Sequence, residues 1–81
     1  MKSDSAARIM PLAMVSVGEH VRLVKVNAGE KLVCRLGSMG LTPGVEMRVL
    51  LDSGGPKTVC VRDSRIALGK GVAHKILVEL I

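Results

Sequence analysis

Four side chains in this sequence could act as bases, nucleophiles or soft metal ligands, namely His20, Cys34, Cys60 and His74. Imidazole and thiolate groups suit divalent transition metals, so the four together are candidate metal ligands. Their spacing is not local, and there is no Cys-x-x-Cys pair of the kind that structural zinc sites use. The simpler interpretation is that Cys34 and Cys60 are packing residues with free thiols in a reducing compartment.

No group of residues indicates catalysis. A nucleophilic site needs a serine or cysteine, a base and an orienting group, and neither histidine lies in a recognisable motif. The seven acidic residues are scattered, so chance pairs among them carry little weight. The glycines of Gly37–Gly40 and Gly69–Gly71 do not follow the phosphate-binding pattern GxxxxGK[ST]. The sequence therefore predicts a protein that is not an enzyme.

The composition narrows the binding partners. The 81 residues include no Phe, Trp or Tyr, which disfavours aromatic-lined grooves for proline-rich peptides and stacking platforms for single-stranded nucleic acid. The formal net charge is +5, which leaves a basic nucleic-acid-binding barrel as an alternative. Because the basic residues never form a run, no nucleic-acid partner is expected.

The chain is short enough for one domain, predicted over residues 10–81 after a flexible tail over residues 1–9. The apolar stretch Ile9–Val17 follows Lys2 and Arg8, but it is short, contains a proline and lacks a convincing cleavage site, so no signal peptide is predicted. No stretch approaches the ~18 apolar residues of a membrane span. We therefore expect a cytoplasmic location.

The hydrophobic pattern predicts a mainly β fold. Strands are expected at His20–Val26, Val45–Leu51, Thr58–Arg62, Arg65–Leu68 and Ile76–Ile81, a helix at Glu30–Met39, and a helical turn within Gly69–Lys75. The alternation slips in the first of these strands, which predicts a bulge or burial on both faces. The fold class is a small antiparallel barrel of about five strands with one short helix and a helical turn. Its open edges favour a homodimer that forms through an edge strand.

The end of the predicted helix and the turn after it form the most distinctive candidate surface. Gly40 suits the left-handed residue that ends a helix, and Leu41 could pack back on Leu36. Pro43 and Gly44 suit a type II turn. A preorganised apolar and cationic corner of this kind can dock a partner at low ordering cost. The candidate contact residues are Arg35, Ser38, Met39, Leu41, Thr42 and Pro43, with core and capping roles open for Leu36 and Leu41.

The segment Arg35–Gly44 (RLGSMGLTPG) strongly resembles the "RL..MGL.PG" signature of the FeoA family, ferrous iron transport protein A. Further segments resemble the family at Pro11-Leu12, Val17-Gly18, Val45–Val49, Arg65–Leu68 and Ala73–Val78. The chain departs from the family pattern at Asp63-Ser64, where the family often has a glycine, and at Val17, where a proline commonly precedes Gly18.

The resemblance implies an SH3-like barrel in a cytosolic accessory protein of bacterial ferrous iron uptake. The implied partner is the cytoplasmic part of the membrane iron permease FeoB, with no catalytic residues and no required cofactor. Domains of this family are often described as binding transition metal ions. A carrier or sensor that binds Fe²⁺ or Zn²⁺ weakly through His20, Cys34, Cys60 or His74 is therefore the alternative function.

Overall fold

The computed structural model describes residues 9–52 and 54–81. The predicted tail lies outside these residues except for Ile9, which is the first residue of a strand. The elements in chain order are β1 (Ile9–Pro11), a 3-10 turn (Leu12–Met14), β2 (His20–Val26), α1 (Glu30–Ser38), β3 (Glu46–Asp52), β4 (Lys57–Val61), β5 (Ser64–Leu68), α2 (Lys70–Lys75) and β6 (Ile76–Leu80).

All the strands belong to one antiparallel sheet with the order β1-β6-β2-β3-β4-β5. The mainly β fold class is confirmed, and residues 9–52 and 54–81 form six strands where the sequence predicted about five. The additional strand is β1, where Ile9 pairs with Glu79 and Pro11 with Leu77. Three residues that contain a proline carry no readable alternation, so the sequence pattern does not predict a strand in this segment.

Alternation of apolar and polar side chains fixes which face of the sheet is buried. In β3, Met47 and Val49 are buried while Glu46 and Arg48 are exposed, as the pattern predicts. In β2 the pairing with β6 shifts between Leu23 and Lys25, which is the predicted irregularity.

The core is aliphatic throughout. It comprises Leu12, Val15, Val21, Leu23, Leu36, Leu41, Met47, Val49, Val59, Val61, Leu68, Ala73, Ile76 and Val78. Both helices and all strands except β1 contribute to it, and each fully buried Leu, Ile or Val contributes roughly 1.5–3 kcal/mol. A core of this kind holds the sheet and α1 in one fixed arrangement.

The two-residue connection between β4 and β5 contains a backbone strain. Val61 pairs with Ser64, so Arg62 and Asp63 form the turn, and Arg62 has a φ of 56°. An L-residue with a side chain costs about 1–2 kcal/mol in this left-handed region, where glycine costs almost nothing. This strain lies beside Asp63-Ser64, where the chain departs from the family's glycine.

We therefore expect Arg62→Gly to stabilise the domain by about 0.5–1 kcal/mol, because relief of strain outweighs the added flexibility of the unfolded chain. For a domain of this size that is a rise in Tm of about 2–8 °C, measured by thermal unfolding. Asp63→Gly is the matched control, since Asp63 has no positive φ to relieve. A lower Tm for Arg62→Gly than for the native chain would contradict the strain.

Candidate functional site

Helix α1 presents an incompletely buried apolar stripe. Leu36 is buried and Leu32 is half-buried, but Val33 and Met39 are exposed large apolar residues. Arg35 lies in the last turn of the helix, where a cation interacts favourably with the carbonyl end of the helix dipole. The C-terminal half of α1 therefore combines exposed apolar surface with a positive charge.

A Schellman motif ends α1 and holds this surface in place. The amide of Leu41 donates to the carbonyl of Leu36 at 2.9 Å, and the amide of Gly40 donates to that of Gly37 at 3.0 Å. Gly40 has a φ of 93°, as predicted for the residue that ends the helix.

Leu41 is buried, which corrects the prediction that it contacts a partner. Its side chain is 1% exposed and belongs to the same core cluster as Leu36. The physical reason is the cap itself, because the Schellman geometry turns this side chain back onto the helix.

The turn after the cap is pinned to the sheet. The amide of Val45 donates to the carbonyl of Thr42 at 3.1 Å, and Gly44 has a φ of 95°, as the predicted type II turn requires. The amide of Gly44 also donates to the carbonyl of Leu23 at 2.7 Å. Thr42 and Pro43 are exposed on this turn.

A groove of about 250 Å³ lies beside α1 and is called the α1 groove below. It is lined by Leu32, Arg35, Leu36, Met39, Ala67, Leu68, Gly69 and Val72. Two predicted contact residues, Arg35 and Met39, therefore line one cavity. The exposed Ser38 lies outside it, and its hydroxyl donates to the carbonyl of Arg35 at 2.7 Å. The far wall comes from β5 and α2, which the sequence did not connect with the helix.

The four candidate metal ligands lie on four different elements, β2, α1, β4 and α2. His20 and Cys60 both pair with Arg48 from opposite sides, so an arginine stands between them. Cys34 and His74 are exposed on the two helices. In the part of the chain that the structure describes, no three His, Cys, Asp or Glu residues are grouped to hold a metal ion. The structure therefore does not assemble these four residues into a site.

Sequence reasoning missed a buried cation. Lys57, which precedes the predicted strand Thr58–Arg62, begins β4 and is 3% exposed. Its Nζ donates to the carbonyl of Val15 at 2.6 Å and to Asp52 Oδ2 at 3.0 Å. The available signal was the alternation, since Lys57 shares the inward register of Val59 and Val61.

The Asp52 carboxylate is held ionised by its neighbours. The hydrogen bond from Lys57 is the main cause that lowers the pKa of Asp52 below its ordinary value, followed by the hydrogen bond from the Gly54 amide and the attraction of the Lys57 charge. The ion pair links β3 to β4 within their hairpin, and the hydrogen bond from Lys57 to the Val15 carbonyl joins that hairpin to the segment after the 3-10 turn.

Across residues 9–52 and 54–81, no helix has the length and apolar character needed to span a membrane. The single antiparallel sheet with its short helices is a small SH3-like β domain. The sequence matches the FeoA domain family over residues 10–80, and the chain belongs to that family.

Individual relatives agree with this assignment. The chain is 41% identical over 69 residues to a protein of Methanocaldococcus jannaschii whose name proposes a role as Fe(2+) transport protein A, a match that covers 85% of this chain and 84% of the relative. The crystal structure of an iron uptake regulatory protein (FeoA) superposes with a TM-score of 0.81 at 32% identity and covers 90% of this chain and 97% of the other.

The same fold also occurs within a larger protein. A manganese-dependent transcriptional repressor in complex with manganese matches with a TM-score of 0.82 at 19% identity, and the match covers 90% of this chain but 37% of the repressor. At this identity the likeness concerns the fold alone.

Proposed function

We propose that this protein is a small, cytosolic, non-catalytic accessory protein of ferrous iron uptake. It docks on the cytoplasmic part of a FeoB-type iron transporter and modulates transport. Membership of the FeoA family supports the iron uptake role, as do the names of the M. jannaschii relative and of the FeoA crystal structure. The partner follows from the resemblance of Arg35–Gly44 to the family signature.

The α1 groove is the observation that carries the docking proposal. Met39 is 41% exposed at the rim of an apolar groove, and Arg35 lines the same groove. Interface hot spots typically combine an apolar anchor in a pocket with an arginine nearby. The Schellman cap and the pinned turn fix this surface before binding, so docking costs little ordering entropy.

The lining defines the chemistry that a partner must offer. A volume of about 250 Å³ accepts one or two aliphatic side chains, which gain apolar burial against Leu32 and Val72. A carboxylate placed beside that anchor would pair with the Arg35 guanidinium, which favours bidentate contact with carboxylates. We therefore propose an acidic, amphipathic segment of the transporter as the occupant.

Substitution of Met39 by aspartate tests the docking surface. We expect at least a tenfold weaker affinity for the isolated cytoplasmic part of the transporter, measured by calorimetry, because a charge replaces the apolar rim. Met14→Asp is the matched control, since Met14 is also exposed but lies outside the α1 groove. Unchanged affinity for Met39→Asp, or equal losses for both variants, would contradict docking at this groove.

A further inference from the structure

A second cavity, with a volume of about 420 Å³, lies between the β3–β4 hairpin, the 3-10 turn and α2. We call it the hairpin cleft. It shares no lining residue with the α1 groove. Helix α2 separates the two, since Val72 lines the groove while Lys70 and His74 line the cleft. Nothing in the proposed docking function uses it.

The cleft collects basic side chains. Lys70 and His74 are one helical turn apart, so they stand on the same side of α2, and both are exposed. Lys57 also lines the cleft. An ammonium carries three hydrogens, and among the described residues Nζ of Lys57 has two acceptors, the Val15 carbonyl and Asp52.

The carboxylate in the cleft is already engaged. Asp52 accepts hydrogen bonds from Lys57 at 3.0 Å and from the Gly54 amide at 3.5 Å. Its charge is therefore balanced inside the protein, and the charges of Lys57 and Lys70 disfavour a metal ion. The lining has two ammonium groups, one imidazole and one balanced carboxylate, with Met14 as an apolar wall.

We propose that the hairpin cleft binds the oxyanion group, phosphate or carboxylate, of a small molecule. Lys70 and His74 would hold the anion from α2, and the remaining hydrogen of the Lys57 ammonium would reach it from the hairpin side. Charge-assisted hydrogen bonds to oxyanions are the strong ones, and Met14 would cover the ligand's apolar part. Such a ligand would bridge the hairpin and α2.

Nuclear magnetic resonance titration of the full chain with inorganic phosphate tests this site, with acetate as the carboxylate arm and sodium chloride at matched ionic strength as the reference. We expect saturable shifts of the amides of Gly54, Ala73 and His74 with at least one oxyanion. The double variant Lys70→Ala/His74→Ala should weaken binding at least tenfold. Lys75→Ala, on the same helix but outside the cleft, should leave the affinity unchanged.

Three outcomes would overturn the proposal. The first is that the amide shifts do not saturate with either oxyanion, or that sodium chloride produces the same shifts. Either result would show charge screening only. The second is native affinity in the double variant with its fold intact, verified by its amide spectrum. The third is saturable binding whose shifts centre on other residues, such as Arg48 and Arg65 on the exposed sheet face. Because this readout needs no transporter, it is independent of the docking test.

Discussion

We expect Leu41→Asp to unfold the domain, whereas the same substitution two residues earlier, Met39→Asp, leaves it folded. Loss of a buried leucine costs about 2–5 kcal/mol, and burial of an unpaired carboxylate costs several more. The whole domain has a stability of only about 4–12 kcal/mol at 0.05–0.15 kcal/mol per residue. Met39 is 41% exposed, so a charge there can reach water rather than being buried in the core.

Circular dichroism melts of the two variants measure this difference, with Leu41→Ala as the intermediate. Leu41→Ala should keep the Schellman hydrogen bonds but lose about 2–5 kcal/mol of unfolding free energy, because it leaves a cavity beside Leu36. A folded Leu41→Asp protein with a Tm near that of the native chain would show that this side chain is free at the surface. The result also shows at which of the two residues a substitution can test docking without unfolding the domain.

Local sequence rules predicted the backbone geometry of the cap and turn after α1 better than they predicted which side chains there are exposed. Gly40 and Gly44 adopt positive φ as expected, because the cap and the turn depend on a few adjacent residues. The same cap rule predicted that Leu41 packs on Leu36, and it was the surface interpretation of Leu41 that was wrong. The cap turns Leu41 toward Leu36, and residues of the sheet complete the core cluster around both side chains, a contribution that the local pattern does not specify.

Features built from distant segments were the ones that the sequence could not supply. The α1 groove needs Ala67 and Val72 opposite Met39, a juxtaposition set by the order of the sheet and the packing of α2. The separation of His20 from Cys60 by Arg48 likewise follows from strand register. Spacing along the chain could not show whether these two side chains come together, because register is fixed by the pairing partners.

The buried Lys57 provides the last test, in which Lys57→Met should cost about 1.5–3 kcal/mol at neutral pH. Methionine keeps the apolar length of the side chain but leaves the Val15 carbonyl without its donor, and hydrogen bonds that involve a charged group contribute about that much. Urea unfolding of the native chain and of the variant measures the difference. Lys75→Met, an exposed lysine in α2, is the matched control and should change little.

The pH dependence of the stability lost in Lys57→Met separates the contributions of the two partners of Lys57, the Val15 carbonyl and Asp52. The pKa of Asp52 is lowered in the folded protein, chiefly by the hydrogen bond from Lys57. The ionised carboxylate therefore adds to the free energy of unfolding above the ordinary pKa of 3.8, and this stabilisation is lost as the pH falls through the lower folded value. The gap between the native chain and Lys57→Met should therefore stay constant from neutral pH down to about the ordinary value of 3.8 and narrow as the pH falls further. In an Asp52→Asn background the gap should not change with pH in this way. A gap in the native background that stays constant as the pH falls below 3.8 would assign the whole effect to the Val15 carbonyl, which does not titrate.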